Sequence, residues 1–166
     1  EDIFPRCAFN RPYDFIDVQN KTAATFLAGD SDTVPTIYWF DYDDAFGPEI
    51  IADIGSLGTR MKVGGFAFVT VCAGPPGALE MQTPAQRLGH FQEHIGSFSI
   101  GLAASDMENS NFPKSVHRVL MAAFQNAFAA RTDGKFQTIF QVQYKDSTTM
   151  LTVGGCFSKA AEAPKI

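Results

Sequence analysis

The chain of 166 residues lacks a paired-cysteine motif, a basic cluster and a long apolar run. Its three cysteines, Cys7, Cys72 and Cys156, are odd in number and widely spaced, and none forms a CxxC pair. Zinc-finger and thioredoxin-like readings therefore fail. Cys72 and Cys156 fall in strand-like runs, where free thiols act as small apolar side chains, and a reduced, cytoplasmic setting is expected. Neither a signal-peptide pattern nor an apolar run of about 18 residues is visible, so no membrane segment is expected. A net charge of −5 with no clustered Lys or Arg argues against nucleic-acid binding, because phosphate contacts demand such clusters. No GxSxG elbow and no Ser-His-Asp pattern is recognisable. Gly64-Gly65 precedes a strand rather than a helix, the wrong polarity for holding a phosphate.

What is present is apolar and aromatic. Hydrophobic residues make up 45% of the chain and charged ones 19%, and sixteen phenylalanines supply material for a large core. No repeat or linker divides the sequence, so a single α/β domain spanning 1–166 is expected, with an insert at 74–112. Tyr13–Val18 alternates like a short strand, Thr22–Leu27 has room for about two helical turns, and Thr36–Phe40 is a compact β-rich run. From Pro48, apolar residues at Ile50, Ile51, Ile54, Leu57 and Met61 follow helical spacing, with Glu49 in the first turn and Arg60 and Lys62 at the end. Phe66–Ala73 reads as a buried strand and Pro84–Ile95 as a helix within the insert. Val116, Val119, Leu120, Ala123, Phe124, Ala127 and Phe128 define the apolar stripe of a helix over Lys114–Arg131. Phe136–Tyr144 and Thr149–Ser158 form a closing antiparallel hairpin, with Gly154-Gly155 marking a bulge or bend.

The acidic cluster Asp41, Asp43 and Asp44 ends the run TIYWF, where α/β sheets place their ligands. Asp44 or a neighbour is expected to cap the following helix. His90, Glu93 and His94 spell HxxEH, whose histidines share one helix face and suit a zinc hydrolase, against the plainer reading of an exposed polar helix. His117, beside an apolar stripe, reads as a packing or capping residue.

The stretch WFDYDDAFGPEIIADIGSLGTRMKVGGFAFVTV, together with FNRPYDFIDVQNKTAATFL, resembles the later part of a Rossmann-like S-adenosylmethionine-dependent methyltransferase. It is similar to bacterial O-methyltransferases of unassigned substrate. The resemblance implies a mostly parallel sheet in the order 3-2-1-4-5-7-6, ending in an antiparallel hairpin and lacking its first two strands here. Tyr13–Val18 would be the third strand and Thr36–Phe40 the fourth. It implies S-adenosyl-L-methionine as cofactor, held by Glu1, Asp2, Asn20, Thr22, Phe40, Asp41 and Tyr42, with Asp41 and Asp43 catalytic and the insert as a substrate lid. The family's Gly-Asp-Ala after the third strand is replaced by Lys21-Thr22-Ala23, and no GxGxG precedes Tyr13. The place of a magnesium-ligating Asp-Asn pair reads Thr70-Val71-Cys72-Ala73, so no metal is expected. The gap in such a sheet calls for a missing N-terminal segment or a second copy of the chain to complete it. A non-catalytic interaction module of the same fold is the alternative reading.

Overall fold

The computed structural model describes residues 4–29, 31–75, 77–80, 82–145 and 147–159. Helix α1 spans Phe4–Phe9 and α2 spans Ala23–Leu27, followed by strand β1 over Ile37–Ala45 and helix α3 over Pro48–Arg60. Strand β2 covers Gly65–Cys72, and the insert then folds as α4 (Gly77–Glu80), α5 (Pro84–Ile95) and two 3₁₀ turns, Gly96–Ser99 and Ala104–Met107. Helix α6 (Phe112–Phe128) and the hairpin β3 (Lys135–Lys145) and β4 (Thr149–Ser158) close the chain.

The four strands form one mixed sheet in the order β1-β2-β4-β3. β1 and β2 are parallel, whereas β4 runs antiparallel to both β2 and β3. The sheet is thus mixed, with its one parallel pair at the β1 edge and the expected antiparallel hairpin at the other. The strand expected over Tyr13–Val18 is corrected, because that segment is turn and irregular backbone. Its alternation is real, but a strand is held by ladder bonds to a neighbour, and this segment has none. Tyr13 and Phe15 instead stack on each other in solvent, 61% and 84% exposed.

The helices form where their periodicity places them. Pro48 opens α3 and Glu49 sits in its first turn. The N-cap is Gly47, without a side-chain cap bond, so the expected cap by Asp44 is replaced by an extended backbone that carries β1 on to Ala45. Ile50, Ile54 and Leu57 of α3 pack with Val116, Val119, Leu120 and Phe124 of α6 over Ala67, Val69, Val71 and Val153 of the sheet. α3 and α6 approach so closely that a Cβ at Gly58 would lie 1.9 Å from the Ala127 carbonyl oxygen. Arg131 ties the same corner, donating to the Gly58 carbonyl at 2.7 Å and to the Met61 carbonyl at 3.1 Å while its guanidinium lies over the Phe157 ring. The expected irregularity near Gly154-Gly155 appears as a register shift between Thr138 and Phe140 of the facing strand.

The insert is anchored rather than loose. Thr83 and Gln86 form a reciprocal capping box at the start of α5. Buried Arg87 donates to the Leu79 carbonyl at 2.8 Å and the Met107 carbonyl at 3.0 Å, pinning α4 and the second 3₁₀ turn to α5. Phe91 packs edge-on against Phe112 and tilted against Phe46, which seats the insert beside the end of β1.

Candidate functional site

Successive residues of β1 point to opposite faces of the sheet. Tyr38, Phe40 and Tyr42 stack along the face that carries α3. Each flanking tyrosine is tied to a carboxylate. Tyr42 donates to Asp53 Oδ2 at 2.6 Å, and Asp53 is buried on α3. Burial, then the hydrogen bond to Asp53, then the charges of Asp53 and Glu49 drive the Tyr42 hydroxyl well above its ordinary pKa. Tyr38 donates to Asp32 Oδ2 at 2.5 Å and receives Arg60 Nε at 2.8 Å, and its pKa is pushed up to about 12, chiefly by burial and then by the bond to Asp32.

Arg60 also pairs with Asp32 at 3.1 Å, donates to the Phe26 and Leu27 carbonyls and lies over the Phe26 ring. This one guanidinium therefore fixes α2 against α3 and β1. The result is an open cleft of about 480 Å³ lined by Asp17, Gln19, Lys21, Thr22, Ala23, Phe26 and Phe40. Its size falls in the range of small-molecule sites, and its walls combine two aromatic rings with a few polar groups.

Thr22 and Phe40, both expected at a cofactor site, are brought together in this cleft. Thr22 has a structural task as well: its hydroxyl accepts the Thr25 amide as the N-cap of α2 and meets the Thr25 hydroxyl at 2.9 Å. Asn20 is exposed between two lining residues but does not itself line the cleft. Asp41 is exposed and shares the face of Trp39, opposite Phe40. It is the last β1 residue in regular register with β2 before the pairing shifts. Tyr42 turns back to α3 through Asp53, and Asp43 is exposed within the irregular stretch between Asp41 and Ala45. Glu1 and Asp2 lie outside the described residues.

Asp17, Gln19, Lys21, Phe26 and the buried Asp53 are the residues that sequence reasoning missed. A signal existed for Asp53, a carboxylate falling three residues after Ile50 and beside Ile54 on the apolar stripe of α3. For the cleft lining the only signal was the polar run Gln19-Asn20-Lys21 next to an expected helix.

The HxxEH histidines stack at 3.9 Å between ring centres, and His94 Nδ1 donates to the His90 carbonyl at 2.8 Å. Among the described residues no group of three His, Cys, Asp or Glu side chains is placed to hold a metal ion. His117 Nε2 meets Gln141 Oε1 at 2.8 Å, which bridges α6 to β3 and fits a packing role. Among the described residues no helix is long and apolar enough to cross a membrane.

Comparison with curated proteins returns no match. The family described as "Putative O-methyltransferase" matches residues 1–166, and the chain belongs to that family.

Proposed function

We propose that this chain carries one wall of an S-adenosylmethionine-dependent O-methyltransferase site, with the cofactor's nucleoside end in the cleft beside Phe40. The observation that carries the reading is that cleft, which pairs two aromatic walls with polar groups next to the last regular pairs of a parallel strand. Family membership supports the reaction class, and the strand order β1-β2-β4-β3 supports the finer reading of a Rossmann-like sheet, matching 4-5-7-6 in the methyltransferase order.

The residues present fit part of such a cofactor. Phe26 and Phe40 offer apolar surface to a flat base, and Asp17, Gln19 and Lys21 offer hydrogen-bonding groups at its rim. When bound, S-adenosylmethionine supplies a methyl group activated by a sulfonium centre. The protein's share is to hold the acceptor oxygen in line with that methyl, since transfer of this kind depends mainly on positioning. Asp41, exposed at the end of the regular pairing, would orient an acceptor hydroxyl or take its proton. Asp43 follows it in the same role, and the insert anchored by Arg87 and Phe91 lies beside the end of β1, where it would cover the acceptor.

A second reading is favoured by one observation. Thr22 stands where the resemblance to Rossmann-like methyltransferases implies an aspartate, and its hydroxyl is engaged in capping α2. That suits a methyltransferase-like module that has lost cofactor binding and serves in interactions. Titration calorimetry of the native full-length protein with S-adenosylhomocysteine separates the two. Saturable binding that weakens at least about tenfold in Phe40→Ala, a loss of about 1.4 kcal/mol, supports the enzyme. Absence of heat at millimolar ligand leaves the interaction module.

A further inference from the structure

Apart from the cleft beside Phe40, α5 carries two imidazoles over an apolar cavity. His90 and His94, one helical turn apart, share a face of α5. Both line a cavity of about 40 Å³ walled by Phe46, Leu79, Phe91 and Ile95. Those four side chains are buried, with the Phe46 and Phe91 rings tilted against each other at 6.3 Å. His90 is half-buried and His94 exposed, so the imidazoles stand at the mouth and the apolar groups at the base. Phe46 directly follows β1, which puts the cavity at the carboxyl end of that strand, beside the first turn of α3.

Hydrogen bonding fixes which nitrogen can act. A carbonyl oxygen only accepts, so the 2.8 Å contact with the His90 carbonyl puts a proton on His94 Nδ1. The neutral ring then carries its lone pair on Nε2, which makes no hydrogen bond to a described residue. Stacking on the His90 ring, 3.9 Å away between centres, holds the plane of that imidazole. Three carboxylates stand on the elements around it. Glu93 is on α5 itself, the Glu49 carboxylate of α3 lies against Gly47, and Asp106 of the second 3₁₀ turn accepts the Ala103 amide. None of them lines the cavity, so the mouth offers an imidazole lone pair above a small apolar space.

We propose that this cavity is the acceptor subsite of the methyltransferase reading, on which the inference rests, and that it takes a small phenol with His94 Nε2 as the base. A phenol hydroxyl ionises near about 10, within reach of an imidazole that takes the proton as bonding to the methyl carbon develops. An unactivated alcohol holds its proton too tightly for such a base. The aromatic walls suit the edge of a flat ring, which leaves the hydroxyl at the mouth. As the O–H bond breaks, the proton passes to Nε2 and the oxygen's electron pair forms the new bond to the methyl carbon. The electron pair of the broken C–S bond returns to sulfur, leaving S-adenosylhomocysteine. His94, open to solvent, then releases its proton to water. A carboxylate accepts a proton about two units less readily than an imidazole, so orienting the hydroxyl is the part of the work left to Asp41.

Two measurements on the native full-length protein test this, with 4-methylphenol as the probe. Nitrogen NMR of the histidine side chains should show the His90 and His94 signals shifting saturably as 4-methylphenol is added. In His94→Gln, kcat for methyl transfer to 4-methylphenol should fall about 100-fold or more, while S-adenosylhomocysteine binds in calorimetry within about twofold of the parent. The limb of the parent's pH profile that falls as an imidazole gains its proton should be absent in that variant. Binding of S-adenosylhomocysteine with histidine signals unmoved by millimolar 4-methylphenol overturns the acceptor subsite and leaves the cofactor reading standing. Methyl transfer that is absent in the parent or unchanged in His94→Gln does the same. A parent that does not bind S-adenosylhomocysteine overturns the cofactor reading and this proposal with it, so one titration tells the two failures apart. The NMR measurement on the unsubstituted protein stands even if His94→Gln does not fold.

Discussion

Replacing Tyr42 by Phe tests whether the end of β1 is held in place by the bond to Asp53. The hydroxyl donates to Oδ2 at 2.6 Å, and Asp53 retains only 6% of its exposure. A hydrogen bond to a charged group contributes about 1.5–3 kcal/mol, and losing it strands a buried carboxylate. The phenyl ring keeps the stacking on Phe40, so the change isolates the polar term. The expected loss is about 2 kcal/mol, which in a chain of this size lowers the melting temperature by about 4–8 °C. Urea unfolding followed by circular dichroism measures the loss, and an unchanged slope would show that the denatured state is not the cause. The double substitution Tyr42→Phe with Asp53→Leu should recover most of it, because removing both partners leaves no uncompensated charge. A Tyr42→Phe protein within about 0.5 kcal/mol of the parent would refute the claim that this bond orders the strand end.

Gly58→Ala should destabilise by about 3 kcal/mol in thermal unfolding, because its Cβ would meet the Ala127 carbonyl at 1.9 Å and force α3 from α6; a loss below about 1 kcal/mol would mean that the helices slide apart at little cost. Arg87→Met should cost about 3 kcal/mol and make the insert the first site of limited proteolysis, since the Leu79 and Met107 carbonyls lose a charged donor. Cleavage beginning elsewhere, at unchanged stability, would count against the anchor. Stability should fall as pH rises from 10 towards 12. Tyr38 ionises at about 10 when unfolded but only at about 12 when folded, so the folded state holds the extra proton and its advantage, on the order of 2 kcal/mol, is lost across that window. A flat urea midpoint between these pH values would contradict it.

The elements that could be read from sequence are those whose signal is local. α3, α5 and the β3–β4 hairpin follow from periodicity and punctuation, because each buries one face and ends at Gly, Pro or a cap. α6 begins two residues earlier than the stripe suggested, at Phe112, since Pro113 tolerates the first turn. Tyr13–Val18 failed because alternation states only a willingness to pair, and the partner is a non-local fact. The cleft was legible in part. Thr22 and Phe40, named from the sequence, both line it, but the contacts that shape it run through Asp32, Tyr38 and Arg60, the last two 22 positions apart. No short window contains such a triad.

The period of two in β1 changes how its acidic end has to be understood. Phe40, Asp41 and Tyr42 read as one cluster in the sequence, yet the pleat assigns them to different faces. The even-numbered aromatics Tyr38, Phe40 and Tyr42 are spoken for on the α3 side, by Arg60, by the cleft and by Asp53. Asp41 looks out beside Trp39, over the face that carries no helix among the described residues. A ligand lying in the cleft can therefore meet Asp41 by passing over the carboxyl end of the strand, where the register shift opens the pairing with β2.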